Sequence, residues 1–146
     1  MWRLIDFIAS LLGIAILSPL FLFGAILVIL DDGWPVCFRQ ERMGKGGNLF
    51  RLLKFRTMYR DAHKRGGLIT VGGRDPRVTN AGYILRKTKI DELPQLFNVL
   101  FGDMSLVGPR PEVRKYVDLY PNDYTYLLQV PPGITSPASL AYSNEN

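Results

Sequence analysis

The chain has few residues that could crosslink it or hold a soft metal ion. Among its 146 residues there is one cysteine, Cys37, and one histidine, His63. A single cysteine excludes an intramolecular disulfide, and without Cys or His partners a zinc site of the usual kind is excluded. Cys37 stands in an apolar strand pattern, so we expect it to be a small buried hydrophobe. The metal that this composition allows is a hard cation on carboxylate oxygens.

Acidic residues are scarce in the middle of the chain. From Arg39 to Lys89 there are 14 lysines and arginines against 3 acidic residues, a local charge of +11. From Ile90 to Asn146 there are 3 against 7, a local charge of −4. A basic segment followed by an acidic one suits the binding of a polyanion that a cation bridges to carboxylates. It also suits a protein surface that lies on anionic lipid. A solvated charged face is the simpler explanation for many of these residues individually.

The stretch from Leu4 to Leu30 is almost free of charge, since Asp6 is its only ionisable residue. It is longer than the apolar part of a signal peptide, and the acidic Asp31-Asp32 pair follows it. Ser18-Pro19 interrupts it, and proline breaks the helical hydrogen-bond ladder. Either a kinked helix crosses the bilayer, or two arms of about 20 Å, shorter than a 30 Å core, enter and leave by one face. The basic segment that follows should stay cytoplasmic, which favours the second arrangement.

Periodicity and turn residues predict an α+β fold. Two strands, Pro35–Glu41 and Leu49–Met58, flank turn chemistry at 42–48 and predict a basic β-hairpin. Apolar residues recur at helical spacing in three further segments. The predicted helices are Val78–Lys89, capped by Thr79 or Asn80 with Ile84, Leu85 and Thr88 inward, then Leu93–Leu100, and Glu112–Tyr120 ended by Pro121.

Several segments leave two interpretations open. Glycines at 65–67 and 71–77 could cradle phosphate, but they match no phosphate-binding fingerprint, and plain loops also explain them. Tyrosines and leucines from Tyr116 to Leu128 suit either an interface or core packing. A short helix could begin at Tyr59. The 131–137 segment is predicted to be a turn-rich loop.

Two adjacent carboxylates, Asp91 and Glu92, stand immediately before the predicted helix Leu93–Leu100. Pro94 suits the first turn of a helix. We therefore expect both carboxylates at a solvent-reachable helix N-terminus, where free N–H groups favour negative charge and also an anionic substrate. An ordinary acidic helix start is the alternative. Downstream, a rigid turn presents Arg110 between two prolines.

Taken in order, the motifs resemble the bacterial sugar transferase family, the monotopic polyprenol-phosphate phosphoglycosyl transferases. The resemblance covers nearly the whole chain, and Ser18-Pro19 resembles the break in the family's re-entrant membrane helix. The matching blocks are Phe38-Arg39-Gln40-Glu41-Arg42-Met43-Gly44, Lys54-Phe55-Arg56-Thr57-Met58, Arg86-Lys87-Thr88-Lys89-Ile90-Asp91-Glu92-Leu93-Pro94-Gln95, Met104-Ser105-Leu106-Val107-Gly108-Pro109-Arg110-Pro111-Glu112 and Pro132-Gly133-Ile134-Thr135.

The resemblance implies an architecture and a reaction. Residues 1–31 would form a re-entrant membrane helix, and residues 32–146 a small, mostly helical catalytic domain with a β-hairpin. This domain would lie on the cytoplasmic face of the bacterial inner membrane. A nucleotide-diphosphate sugar, usually uridine-linked, would donate phosphosugar to a polyprenol phosphate, the first membrane step of glycan assembly. In the family the aspartate of the Asp-Glu pair is the nucleophile, which assigns that role to Asp91 and a magnesium or acid–base role to Glu92.

The chemistry explains why such residues are needed. Phosphoryl transfer depends on positioning and charge neutralisation, and a carboxylate can split one transfer into two through an acyl phosphate. Mg²⁺ prefers one or two carboxylates plus phosphate oxygens, so we expect Asp91 and Glu92 to hold it. Guanidinium groups clamp phosphate bidentately. The candidate phosphate-binding residues are Arg86, Arg110, Lys54 and Arg56.

The chain departs from the family pattern in two motifs and in its length. Asp32-Gly33-Trp34-Pro35 replaces the commoner Ser-Pro-Gly-Pro. The segment after Thr135 lacks the common glycine, and because this segment would bear on the donor sugar, the resemblance does not identify that sugar. Family members usually continue for several dozen more residues after the last matching block, which predicts that this chain is a C-terminally truncated form. Alternatives are a membrane-anchored module that binds anionic lipid or nucleic acid in a salt-dependent way, and an inactive structural subunit. The Asp91-Glu92 pair favours the enzyme, with no nucleic-acid partner and with homodimerisation left open.

Overall fold

A computed structural model of the chain describes residues 2–62 and 75–136. The fold is α+β, as predicted. Strand β1 pairs with β2, while β3 pairs in parallel with β4, Ser105 opposite Gly133. The helices are α1 (Trp2–Ile16), α2 (Ser18–Asp32), α3 (Asn80–Lys87), α4 (Gln95–Phe101), α5 (Arg114–Leu119) and α6 (Pro121–Leu127), the strands are β1 (Cys37–Met43), β2 (Leu49–Phe55), β3 (Ser105–Val107) and β4 (Gly133–Thr135), and 3₁₀ turns lie at Lys45–Gly47 and Ile90–Glu92.

Helices α1 and α2 meet at Leu17 and are bent by 62°. Pro19 lies in the first turn of α2, where its missing N–H costs no helical hydrogen bond. The predicted break at Ser18-Pro19 is therefore confirmed. No single helix among the described residues has the length and apolar composition to cross a membrane, and the bent pair meets both requirements only when its two helices are taken together.

The chain divides into two compact units, and both β1 and β2 contribute residues to each unit. The predicted domain boundary after residue 31 stays a prediction. The first unit consists of Met1–Ile16, Arg39–Leu53 and Gln95–Asn146, and the second of Leu17–Phe38 and Lys54–Pro94.

In the first unit, α1 packs against α4 and β3. Its two charged residues are both engaged by protein groups. Arg3 donates to the carbonyls of Val99 and, at 2.7 Å, of Leu100, where a cation complements the C-terminal end of α4. Asp6 accepts from the Ser105 hydroxyl at 2.8 Å and from the Leu106 N–H at 3.1 Å. The buried core beneath these contacts consists of Leu52, Val99 and Met104.

In the second unit, α2 packs against α3 and against the 3₁₀ turn at Ile90–Glu92. A close approach at Gly82 joins α3 to the segment after β2, since a Cβ there would come within 2.1 Å of the Thr57 carbonyl oxygen. Only glycine fits at such a distance. The buried core consists of Val28, Val36, Phe55 and Leu85, with Phe21, Ala25, Leu27, Ile90 and Leu93 packed around it.

Several local predictions need correction. Cys37 is exposed rather than buried, because Val36 takes the inward position and a two-stranded sheet buries little of either face. On α3, Leu85 is inward as predicted, but Ile84 and Thr88 are exposed. The inward positions of α3 are Ala81, Gly82 and Leu85, which follow helical spacing from the Gly82 contact.

Element boundaries also differ from those predicted. The strand after Trp34 begins at Cys37 and ends at Met43, and the second strand ends at Phe55. Pro121 ends one helix and begins α6, where its fixed φ suits the first turn. The predicted loop at 131–137 contains β4. The glycines at 65–67 and most of the 71–77 segment, like the end of the helix predicted from Tyr59, lie outside the described residues.

The tyrosine stripe does not form a core. Tyr116, Tyr120 and Tyr126 are each more than half exposed, as is Leu119. Core packing is therefore wrong for these side chains, and the interface interpretation stays a prediction.

Candidate active site

Asp91 and Glu92 lie in a 3₁₀ turn rather than at the start of a longer helix. Lys89 adopts a left-handed conformation, with φ of 60°, which separates α3 from the turn. Ile90 and Leu93 pack against the apolar core of the second unit and so fix the two carboxylates between them. Helix α4 begins only at Gln95. The predicted helix N-terminus is therefore wrong, because a positive φ before Ile90 starts a separate turn.

Asp91 is also not solvent-reachable in the way the sequence indicated, since it is only 8% exposed. Its Oδ1 is buried and has no hydrogen-bond partner among residues 2–62 and 75–136. Burial raises the pKa of the Asp91 carboxyl above its usual value, while the Lys54 cation opposes the rise and the Glu92 charge adds to it. The group is thus a poorly solvated carboxylate with a free oxygen.

Glu92 and Lys54 form a salt bridge beside Asp91. Lys54 Nζ, near the end of β2, lies 2.8 Å from Glu92 Oε1. Both side chains keep about a quarter of their surface exposed, at 23% and 25%. An ion pair at such exposure adds little stability, so its position next to Asp91 is the more informative property.

Arg86 and Arg56 lie in the second unit but differ in their surroundings. The half-buried Arg86 donates from Nε to the Thr57 hydroxyl at 2.8 Å. Arg56 Nη2 donates to the carbonyls of Asp32 and Gly33 at 2.9 and 2.7 Å and lies 3.0 Å from the Asp32 carboxylate. The C-terminal end of α2 therefore engages one Arg56 nitrogen, and its phosphate role stays a prediction.

Arg110 belongs to the first unit, where it is exposed. The turn that carries it is held by Arg42, which donates to the Pro111 carbonyl at 3.2 Å and contacts Glu112 Oε2 at 3.4 Å. The Met43 N–H also donates to the Glu112 carbonyl at 2.8 Å. Burial lowers the pKa of Arg42, and Glu112 opposes this. Strand β1 thus fixes the Pro-Arg-Pro turn on one side.

The carboxylates suit a cation that shares its ligands with a substrate. In the described part of the chain, no group of three or more His, Cys, Asp or Glu side chains could hold a metal ion. Mg²⁺ is commonly bound through one or two carboxylates plus substrate phosphates and water. Asp91, with an unpartnered oxygen, and Glu92 provide donors of this kind, so the residues present fit such an ion.

Sequence reasoning does not identify three residues that support the candidate side chains. Thr57 is uncharged and stands in a motif whose charged members are Lys54 and Arg56. Asp31 follows the apolar stretch, yet its carboxylate accepts from the Ala81 N–H at 2.6 Å, at the start of α3. Arg42 is one basic residue among many in the middle of the chain. Their partners lie 29, 50 and 69 or 70 positions away, and no local pattern indicates such contacts.

Comparison with known proteins finds bacterial relatives that align with most of this chain. A 143-residue alignment is 45% identical to the UDP-N-acetylgalactosamine-undecaprenyl-phosphate N-acetylgalactosaminephosphotransferase of Aeromonas hydrophila and covers 96% of this chain and 34% of that protein. The UDP-glucose:undecaprenyl-phosphate glucose-1-phosphate transferase of Caulobacter vibrioides is 44% identical, with 94% and 52% covered. The exopolysaccharide production protein PSS of Rhizobium leguminosarum is 46% identical, with 74% and 54% covered. The chain thus spans about a third to a half of these relatives.

The bacterial sugar transferase model matches residues 1–146, the full length of the sequence. The order of the motifs, the adjacent carboxylates and the bent helix pair agree with this match. The chain therefore belongs to the bacterial sugar transferase family.

Proposed function

We propose that the chain moves a phosphosugar from a uridine-diphosphate sugar to a polyprenol phosphate, with Asp91 as the nucleophile. The names of the Aeromonas and Caulobacter relatives state UDP-linked donors and an undecaprenyl-phosphate acceptor. The observation that carries the proposal is the Asp91 carboxylate, which has an oxygen without a partner among the described residues and is acted on by three cations that favour its ionised form, Lys54, Arg86 and Lys89.

The reaction has two displacements. A carboxylate oxygen of Asp91 attacks the phosphorus that bears the sugar, and the bond from this phosphorus to the bridging oxygen breaks. Uridine monophosphate leaves with that oxygen and the bonding electrons, and Asp91 becomes an acyl phosphate. A phosphate oxygen of the polyprenol phosphate then attacks the same phosphorus, and the Asp91 carboxylate leaves with its electrons. The products are uridine monophosphate and a polyprenol-diphosphate sugar.

Each neighbouring residue has a defined electrostatic task in this scheme. Lys54 lowers the pKa of the Asp91 carboxyl and so favours the ionised nucleophile. Arg86 presents a guanidinium for the donor phosphates. Asp91 and Glu92 would hold Mg²⁺, which when bound offsets the diphosphate charge and stabilises the leaving oxygen. Arg56, in the same unit, is a further candidate for the donor phosphates, and the phosphate role of Arg110, in the first unit, stays a prediction.

We propose further that α1 and α2 form a re-entrant membrane helix on the cytoplasmic face of the bacterial inner membrane. Each helix has 15 residues, so each is about 22 Å long at 1.5 Å per residue, less than a bilayer core of about 30 Å. Most of their large apolar side chains are exposed, including Trp2, Leu22 and Leu30. A membrane-confined acceptor would then meet a soluble donor at the interface.

Release of uridine monophosphate tests the reaction. Purified chain with Mg²⁺ is given a panel of uridine-diphosphate sugars, with and without a polyprenol phosphate. We expect monophosphate release for at least one donor, and its loss in Asp91→Asn. Asp118→Asn is the matched control, because this carboxylate is exposed and its ion-pair partner among the described residues is Arg114 on the same helix. A chain that binds anionic vesicles in a salt-sensitive way but releases no monophosphate would favour the binding module instead.

Labelling from outside intact cells tests the membrane arrangement. Trp2→Cys in a Cys37→Ser background should resist a membrane-impermeant reagent, because both ends of the helix pair should face the cytoplasm. Adding Ser18→Ala and Pro19→Leu should allow the two helices to join into a longer helix that can span. Labelling of the background protein before these two changes would contradict the re-entrant arrangement.

A further inference from the structure

The hydroxyl of Thr57 makes a specific contact with Arg86. Thr57 follows β2, is 8% exposed, and accepts from Arg86 Nε at 2.8 Å. The same threonine is tied to the start of α3 through its backbone, because its carbonyl accepts from the Thr79 N–H at 3.1 Å. Met58 and Val78 form a β-bridge next to it. The hydroxyl is therefore held against α3 by several independent contacts.

Gly82 shows that this arrangement depends on close packing. It lies four residues before Arg86, so the two positions share one face of α3. The Thr57 backbone occupies the space where a Gly82 side chain would be. The helix therefore approaches Thr57 at Gly82 and presents Arg86 one turn later.

The bond uses only one side of the guanidinium. A guanidinium has five N–H donors, one on Nε and two on each Nη. Apart from the Thr57 contact, Arg86 makes no hydrogen bond with any residue in the described ranges. Within residues 2–62 and 75–136 the edge formed by Nη1 and Nη2 thus has no acceptor, whereas the Nε donor is engaged. This edge can donate two parallel bonds to two phosphate oxygens.

We propose that Thr57 is a positioning residue, whose hydroxyl holds Arg86 by Nε so that the Nη1–Nη2 edge binds the donor diphosphate. The inference rests on the proposed function and adds a residue to it. Without the hydroxyl, Arg86 keeps its charge but gains rotamer freedom, which it must lose again when the donor binds. The effect of losing Thr57 therefore falls on donor binding rather than on the second displacement.

Thr57→Val tests the hydroxyl, because it keeps the shape and removes the acceptor. We expect a roughly tenfold rise in the KM for the donor, comparable with the loss of one hydrogen bond to a charged group, and an unchanged KM for the polyprenol phosphate. Thr57→Ser keeps the hydroxyl and should stay within about threefold of the native protein. If Thr57 served only packing, valine would be the harmless change and serine the damaging one.

A double change isolates the contact. In an Arg86→Lys background there is no Nε–H to hold, so Thr57→Val should cause no further loss, and the two effects should be non-additive. Additive effects would overturn the proposal.

Titration with uridine diphosphate and Mg²⁺ tests the role of Thr57 separately from the proposed function, since binding needs no turnover. We expect Thr57→Val to weaken binding about tenfold, in line with its effect on KM. Equal affinity in native and valine proteins overturns the role of Thr57 and leaves the proposed function intact. A native chain that neither binds uridine diphosphate nor releases monophosphate overturns both.

Discussion

Asp75 and Asp91 are carboxylates of the same unit and are buried to the same degree, at 9% and 8% exposure. Both oxygens of Asp75 are occupied. Arg77 donates from Nη2 to Oδ2 at 2.6 Å, from Nε to Oδ1 at 3.0 Å, and from its backbone N–H to Oδ1 at 2.9 Å. In contrast, Asp91 Oδ1 has no partner among the described residues.

The pKa values of the two groups move in opposite directions. Hydrogen bonds from the Arg77 side chain and backbone lower the pKa of Asp75 to about 2, whereas burial raises that of Asp91. Burial alone therefore does not set the direction in which the pKa of a carboxyl group moves. The difference lies in whether the fold supplies donors, because an oxygen already bonded to a guanidinium is a weak nucleophile.

The largest expected effect is on activity. Asp91→Asn should lower monophosphate release by at least about a thousandfold, since removal of a nucleophile commonly costs that much or more. Asp75→Asn should retain activity within about tenfold per folded molecule, because the hydrogen bonds of Asp75 within the described ranges come from Arg77, which is outside the proposed site. Rates are to be normalised to the folded fraction. Comparable losses of activity in the two variants would contradict a functional difference between Asp91 and Asp75.

The next effect is on stability, and it belongs to Asp75. Asp75→Asn removes the negative partner of the Asp75–Arg77 ion pair, so unfolding at pH 7 should occur several degrees lower than in the native chain. A group with a lowered folded pKa stabilises above its unfolded pKa, near 3.9, and that contribution is lost as pH falls toward the folded value. The difference in unfolding temperature between the native chain and the variant should therefore disappear between about pH 4 and pH 2. A pH-independent gap would assign the loss to packing.

A smaller effect concerns the acidic limb of the rate profile. Lys54→Met removes the largest influence that favours ionised Asp91, so the pKa of this proposed nucleophile should rise and the acidic limb of monophosphate release should move to higher pH. Lys89→Gln is the matched control, because Lys89 contributes least of the cations that act on Asp91. An equal shift in both variants would show that total charge, rather than the position of Lys54, sets the profile.

The smallest expected effect is a gain in stability when Asp91 is replaced. Asp91→Asn should raise the unfolding temperature by a few degrees at neutral pH, because the raised pKa means that the fold disfavours the ionised form. This cost is absent below the unfolded pKa and develops as pH rises through the folded one. The gain should therefore fade below about pH 4. A loss of stability at neutral pH would mean that Asp91 has favourable partners in solution.

The sequence predicted the parts of this contrast that depend on local pattern. Asp91, Glu92, the break at Ser18-Pro19 and the cap at Thr79 follow from residue type and short spacing, and the Thr79 hydroxyl does accept from Gly82. The conformation around Asp91 was not predicted, because a positive φ, as at Lys89, is uncommon for a residue other than glycine.

The partners of several other charged residues could not be predicted either. Asp75 and Arg77 fall in a segment that its glycines marked as loop, so their burial as an ion pair had no local signal. The engagement of Arg56 with the end of α2 likewise depends on how α2 packs, which a single sequence does not specify. Charge identified the candidates, and tertiary contact decides which of them are free to bind phosphate.

The most direct measurement of the central claim is the mass of the protein after reaction with donor alone. Native chain is mixed with Mg²⁺ and a uridine-diphosphate sugar that supports turnover, quenched rapidly in acid, and analysed intact and after proteolysis. We predict an added mass equal to one phosphosugar, located on the peptide that contains Asp91 and absent in Asp91→Asn. Turnover by the native chain with no adduct, or with the adduct on Glu92, would contradict Asp91 as the nucleophile.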